Sequence, residues 1–197
     1  MKDRIATIKR DTKETKIELE INLDGSGEAD INTGVAFFDH MLDLFSKHGF
    51  FDLTIKCDGD LEIDQHHSME DVGIVLGQAI KEALGDKKGI TRYGFFILPM
   101  DECLSRVVLD LSGRPCLIYE VESPSDNING INVRLFKEFF HALTNNLGVN
   151  LHIDLIRGED VHHILESVFK CFARALDMAV SYEPRQKGIP STKGILD

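Results

Sequence analysis

The sequence has no run approaching the roughly 18 apolar residues that a membrane-crossing helix needs. Its first residues, Met1 to Lys16, are densely charged and hold no apolar core, so no secretory signal is expected. Cysteine is scarce: Cys57, Cys103, Cys116 and Cys171 are widely spaced and form no CxxC pair. That excludes a disulfide scaffold. The four read as small buried hydrophobes in a reducing compartment, and the cytoplasm is the expected location. Basic charge is also short, with 22 Lys and Arg against 33 Asp and Glu, a formal net charge of −11. A field of that sign repels nucleic acid and anionic membrane, so neither is an expected partner. A local basic pocket can still hold a single phosphate.

What is present is an ordinary globular balance, 43% apolar and 28% charged residues in 197. That makes one domain, or two small ones sharing a core. Lys2 to Arg10 and Thr15 to Leu23 read as strands, the second with Ile17, Leu19, Ile21 and Leu23 on one side. Val35 to Lys47 has helical spacing, with Phe37, Met41, Leu44 and Phe45 on one stripe. A strand over Phe51 to Cys57 and a helix over Glu70 to Leu84, capped by Gly85, follow. Strands resume at Tyr93 to Leu98, Leu104 to Leu111 and Cys116 to Val121, and Gly113 with Pro115 reads as a hairpin between the last two. Ser123 to Asn132 reads as a loop. A helix over Val133 to Asn145, a strand over Asn150 to Ile156 and a long helix over Val161 to Tyr182 complete the order.

The second part repeats the first. Leu53-Thr54-Ile55 returns 98 residues later as Leu151-His152-Ile153. After each strand comes a turn with a glycine and acids, Asp58-Gly59-Asp60 and Gly158-Glu159-Asp160. Each turn leads to His-His-x-x-Glu: His66-His67-Ser68-Met69-Glu70, then His162-His163-Ile164-Leu165-Glu166. An internal duplication is the simplest explanation. It divides the chain into an α+β half over 1–88, a similar half over 89–182 and an extended tail over 183–197.

A single histidine on an amphipathic face is usually packing or surface. Two copies of this motif at matching places are different, since random ordering of this composition gives about 0.02 copies. Near a helix start, the glutamate lies one turn beyond the histidines and can share an ion with one of them. Neighbouring histidines point about 100° apart on a helix, so each pair serves two different ions, and two pairs imply two sites. The 98-residue offset also sets His40 opposite Glu138. The candidate metal ligands are therefore His40, His66, His67, Glu70, Glu138, His162, His163 and Glu166. Imidazole and carboxylate without thiolate suit an octahedral divalent ion, Mn²⁺ before Fe²⁺, Co²⁺, Ni²⁺ or Zn²⁺. His48, His141 and His152 lack such a pattern.

Arg92, Arg114, Lys170, Ser191 and Lys193 are basic or hydroxyl groups beside turns or in the tail, suited to a phosphate. Glu14, in the charged turn Asp11-Thr12-Lys13-Glu14, reads from composition as simply exposed. From residues alone, the chain is a metal-dependent enzyme acting on a small phosphorylated substrate. A dinuclear phosphate-ester hydrolase and a metal-storage or metal-triggered assembly protein are the alternatives. Release of inorganic phosphate would favour the first over dehydration; the second needs no phosphate pocket.

These residues resemble the imidazoleglycerol-phosphate dehydratase family of histidine biosynthesis over nearly the whole chain. The resemblance is carried by Phe37-Phe38-Asp39-His40-Met41-Leu42, His66-His67-Ser68-Met69-Glu70-Asp71, Asp110-Leu111-Ser112-Gly113-Arg114-Pro115, His162-His163-Ile164-Leu165-Glu166 and Pro190-Ser191-Thr192-Lys193-Gly194. It implies two similar α+β halves, each a small sheet with helices on one face, the helices packed between the sheets. It implies loss of water from imidazole glycerol phosphate to give imidazole acetol phosphate, through an imidazolate held by two manganese ions and a diazafulvene-like intermediate. Glu14 is implied as the acid–base residue, and Arg92, Arg114, Lys170, Ser191 and Lys193 as the phosphate-binding set. It further implies a homo-oligomer of octahedral symmetry built from trimers, hence 24 subunits, with metal sites at subunit contacts. In one departure, many relatives carry histidine where this chain has Glu138. The neighbouring His141 is a rival ligand there.

Overall fold

The computed structural model describes residues 4–196. Lys2 and Asp3, at the start of the first expected strand and half, and Asp197 at the end of the tail lie outside the described residues. The first half runs β1 (Ile5–Asp11), β2 (Thr15–Asn22), β3 (Ala29–Asn32), α1 (Ala36–Gly49), β4 (Asp52–Gly59) and α2 (His66–Leu84). The second runs β5 (Tyr93–Met100), β6 (Cys103–Asp110), β7 (Cys116–Glu120), α3 (Arg134–Leu147), β10 (Asn150–Arg157) and α4 (Val161–Val180). A short hairpin of β8 (Asn127–Ile128) and β9 (Ile131–Asn132) sits between β7 and α3.

The sheets have orders β1-β2-β4-β3 and β5-β6-β10-β7. In each, the first three neighbours are antiparallel and the last pair is parallel. The halves are therefore alike strand for strand. Alternation along β2 turns Ile17, Leu19 and Ile21 inward and Glu18 and Glu20 outward. Val107 and Leu109 do the same on β6, pairing with Ile153 and Leu151 of β10. The helices fill the space between the two inner faces: α2 lies on β1 and β2, α4 on β5 and β6, and α1 packs on α4 and α2 on α3. Phenylalanines make the joint. Phe45 stacks on Phe172 at 5.5 Å and Phe139 on Phe169 at 5.6 Å between ring centroids. Gly73 and Gly77 let α2 approach α3 closely, since a Cβ on either would stand 2.6 Å from the carbonyl oxygen of Phe139 or Leu143.

Several sequence expectations change: Cys116 is exposed and Cys57 only partly buried rather than both buried, and the expected loop over Ser123 to Asn132 holds the β8–β9 hairpin. Gly113 and Pro115 do not close a hairpin between β6 and β7, because β10 lies between those strands. The apolar inner residues of β10 fit both neighbours, and the 111–115 link steps across its start. The Gly113 N–H bonds Gly148 O at 2.9 Å and the Cys116 N–H bonds Val149 O at 3.0 Å. Strand β3 was not expected, because Ala29-Asp30-Ile31-Asn32 has only Ile31 turned toward the core. It is set by a long-range bond set: Asp52 Oδ1 accepts from the backbone N–H groups of Ser26, Gly27 and Glu28 at 2.8–3.1 Å, closing the preceding turn. Finally, α2 starts at His66 rather than Glu70, with Asp64 Oδ1 accepting from His66 N–H at 2.7 Å.

Candidate metal centre and anion cleft

Helix α4 is started by Asp160, whose carboxylate accepts from the His162 and His163 N–H groups at 2.8 and 3.1 Å. The cap puts His162 and Glu166 on one face, one turn apart. The packing of α1 on α4 brings His40 to the same place. His40 Nε2 and His162 Nε2 each lie 2.9 Å from Glu166 Oε1, and the three ligand atoms are mutually within 4.8 Å. Glu166 is nearly buried, while both imidazoles are almost half exposed, so the triad is a cup open on one side. Burial pushes the Glu166 carboxyl up, but its bonds to Lys170, His40 and His162 outweigh this and bring it to about 2. A carboxylate that stays ionised, flanked by two imidazoles and no thiol, fits a divalent transition ion. The open side leaves positions for substrate.

The first half repeats this more loosely. His66 Nε2 is 3.4 Å from Glu70 Oε2. Glu138 of α3 lines the same pocket as His66, of about 360 Å³, with Asn132, Arg134 and Lys137. The rival His141 does not line it, and its Nε2 is instead 3.3 Å from the Asn145 amide. Among the described residues, only His40, His162 and Glu166 already converge as three ligands.

The second histidine of each pair turns elsewhere. His67 Nδ1 is held by the Asp60 carboxylate at 3.0 Å, and His163 Nδ1 by Glu102 at 2.9 Å. These bonds are the main cause pushing both imidazole pKa values up. A carboxylate on Nδ1 leaves Nε2 as the nitrogen with which the ring could ligate an ion. Both Nε2 atoms face a turn acid at 3.9 Å, Glu14 for His67 and Asp101 for His163. Sequence reasoning missed Asp60 and Glu102 as histidine partners. For Glu102 a signal was there, since the β1–β2 and β5–β6 turns occupy matching places in the repeat and end in Glu14 and Glu102; Asp60 lies in the turn after β4.

Four of the five phosphate candidates line one cleft of about 730 Å³: Arg92, Arg114, Ser191 and Lys193, joined by Thr91 and Gln186. Arg92, in the left-handed region at φ 73°, forks onto Asp110 at 2.7 and 3.0 Å and donates to Pro190 O at 2.8 Å, which ties the tail to the second sheet. The Gly89 N–H bonds Gly188 O, and the Glu183 N–H bonds Gly89 O. Lys170 is not in this cleft. It lies one turn beyond Glu166 with its ammonium on that carboxylate.

Cleft and triad are at opposite ends of α4. The Arg92 N–H donates to Ala179 O at 2.9 Å. Ala179 is thirteen residues beyond Glu166, which at helical rise is about 20 Å.

The comparisons with known proteins agree with the motifs. A family model described as imidazoleglycerol-phosphate dehydratase matches residues 33–176. Proteins of that name from Geobacter metallireducens and Acetivibrio thermocellus are 56% and 55% identical, over 98% of this chain and 99% and 100% of theirs. The crystal structure of the Staphylococcus aureus protein of that name superposes with a TM-score of 0.83 at 41% identity, covering 91% of this chain and 99% of that one. The Pyrococcus furiosus structure, in complex with (S)-C348, gives 0.83 at 37%, covering 96% and 100%. With the repeated ligand motifs, the strand order and the whole-length similarity in agreement, the chain belongs to the imidazoleglycerol-phosphate dehydratase family.

Proposed function

We propose that the protein removes water from imidazole glycerol phosphate to give imidazole acetol phosphate in histidine biosynthesis, as a metal-dependent hydro-lyase. The observation that carries this reading is the pairing of a two-imidazole, one-carboxylate triad with a cleft of two arginines, a lysine and a serine in one small fold. One centre is held by His40, His162 and Glu166, the other by His66, Glu70 and Glu138, with Mn²⁺ the favoured ion. When bound, the ions would act as Lewis acids that ease loss of the ring N–H proton.

The chain's own groups do the rest. Arg92, Arg114, Ser191 and Lys193 grip the phosphate and fix the distance from it to the reacting carbons. The ring, having shed its N–H proton, supplies the electron pair that expels the hydroxyl on the carbon beside it, and the hydroxyl takes up that proton and leaves as water. Glu14 takes the proton from the next carbon, directly or through water, and that proton returns to the ring, while the C–H electron pair forms the enol that becomes the ketone.

The distance within one chain supports a shared site. About 20 Å separates triad from cleft, whereas three carbons and one oxygen join ring to phosphorus, less than half that span. One substrate thus needs the metal end of one copy and the cleft of another. His67 and His163, held outward by Asp60 and Glu102, are then arms that complete a neighbour's sites. Lys170 approaches the phosphate from the metal side. The reading is of a large homo-oligomer, by family 24 subunits in octahedral symmetry. No helix among the described residues is long and apolar enough to cross a membrane; the cytoplasm is the proposed location.

The test is product analysis with the Mn²⁺-loaded protein and imidazole glycerol phosphate. A phosphorylated ketone with its phosphate still esterified is expected. Release of inorganic phosphate would make the protein a hydrolase, and stable metal binding without turnover would make it a storage or assembly protein.

A further inference from the structure

We propose that Asp71 is a positioning residue: from beneath the β1–β2 turn it holds Thr15, and through Thr15 it fixes the backbone that carries Glu14 beside His67. This rests on the reading of Glu14 as the proton-transfer group.

Asp71 is a charged side chain with only 6% of its surface exposed. Its Oδ2 accepts from the Thr15 hydroxyl, and its Oδ1 pairs with the Arg10 guanidinium at 3.0 Å. Thr15 is itself 1% exposed and directly follows Glu14. The turn is braced at the backbone as well. Thr12 Oγ1 accepts from the Glu14 and Thr15 N–H groups at 3.2 and 3.0 Å, and the Asp60 N–H donates to Glu14 O at 3.1 Å. Only the Glu14 side chain is left free, more than half exposed and 3.9 Å from His67 Nε2. His67 and Asp71 are one turn apart on α2, so a single helix face sets both the ligand and the anchor of the turn opposite it.

The matching place in the second half is built differently. Ser167, one turn beyond His163, meets Ser105 Oγ at 2.6 Å, a neutral pair. Cys103 follows Glu102 where Thr15 follows Glu14. Glu102 is already engaged: Oε2 holds His163, and Oε1 accepts from the Asp160 N–H at 3.0 Å. Burying a carboxylate with an arginine costs desolvation that a neutral pair avoids. The fold accepts that cost only under the turn whose glutamate is free.

The test is a double-mutant cycle on the metal-loaded enzyme, with Thr15→Val, Glu14→Gln and the pair. Thr15→Val is expected to lower kcat about 10- to 100-fold, the scale of a small misplacement. KM and metal content stay unchanged, and Thr15→Ser restores most of the rate. In the Glu14→Gln background, Thr15→Val adds no further loss, because it acts through the missing carboxylate. A full additional loss there, or a fall in metal content that accounts for the rate, would overturn the proposal while leaving Glu14 in place. Wild-type turnover by Glu14→Gln alone would remove the base assignment, and this inference with it.

Discussion

Replacing Glu166 by glutamine is expected to cost the enzyme more than about 100-fold in kcat/KM and most of its affinity for one of two ions. Loss of an outer partner of a metal ligand typically costs 10- to 100-fold, and the proposed centre has Glu166 as a direct ligand. Its Oε1 lies 2.9 Å from both His40 and His162 Nε2. Glutamine keeps the size and removes the charge. It also strips Lys170 of the carboxylate that its ammonium pairs with, leaving an unneutralised cation where a second must enter. Metal content by mass spectrometry and steady-state kinetics check this together. A glutamine variant with full metal and near-normal turnover would refute the assignment.

Replacing Glu14 by glutamine is expected to lower kcat by about 10²- to 10⁴-fold, the range for a general base, with little change in metal content. The turn is held by backbone and by Thr12, not by the Glu14 carboxylate. The side chain approaches His67 Nε2 at 3.9 Å, longer than an ordinary hydrogen bond. The loss should therefore fall on kcat rather than on KM or on assembly. The matching glutamate, Glu102, has its oxygens committed to His163 and to backbone N–H groups, so it does not compete with the Glu14 that the family resemblance implies as the base.

The histidine–glutamate motifs made much of this site legible. Their spacing placed each glutamate one turn from its two histidines, and the structure sets His162 beside Glu166 and His66 beside Glu70. The 98-residue offset placed His40 opposite Glu138, and the helices carrying them stand against α4 and α2 respectively. Local periodicity could not show what depends on distant chain. The insertion of β10 between β6 and β7, the capture of the 26–28 backbone by Asp52, and the Nδ1 partners Asp60 and Glu102 all arise from contacts across the fold. Lys170 shows the same limit. Its charge suggested a phosphate, but a helical turn places it on Glu166.

The most direct measurement is a manganese titration of the fully chelated wild-type protein, with mass in solution followed at each step. The account requires two equivalents per chain and growth of a large assembly as they bind, because the outward arms of one copy complete the clusters of the next. Saturation with no bound ion, or an assembly equally large with the metal stripped away, would contradict it.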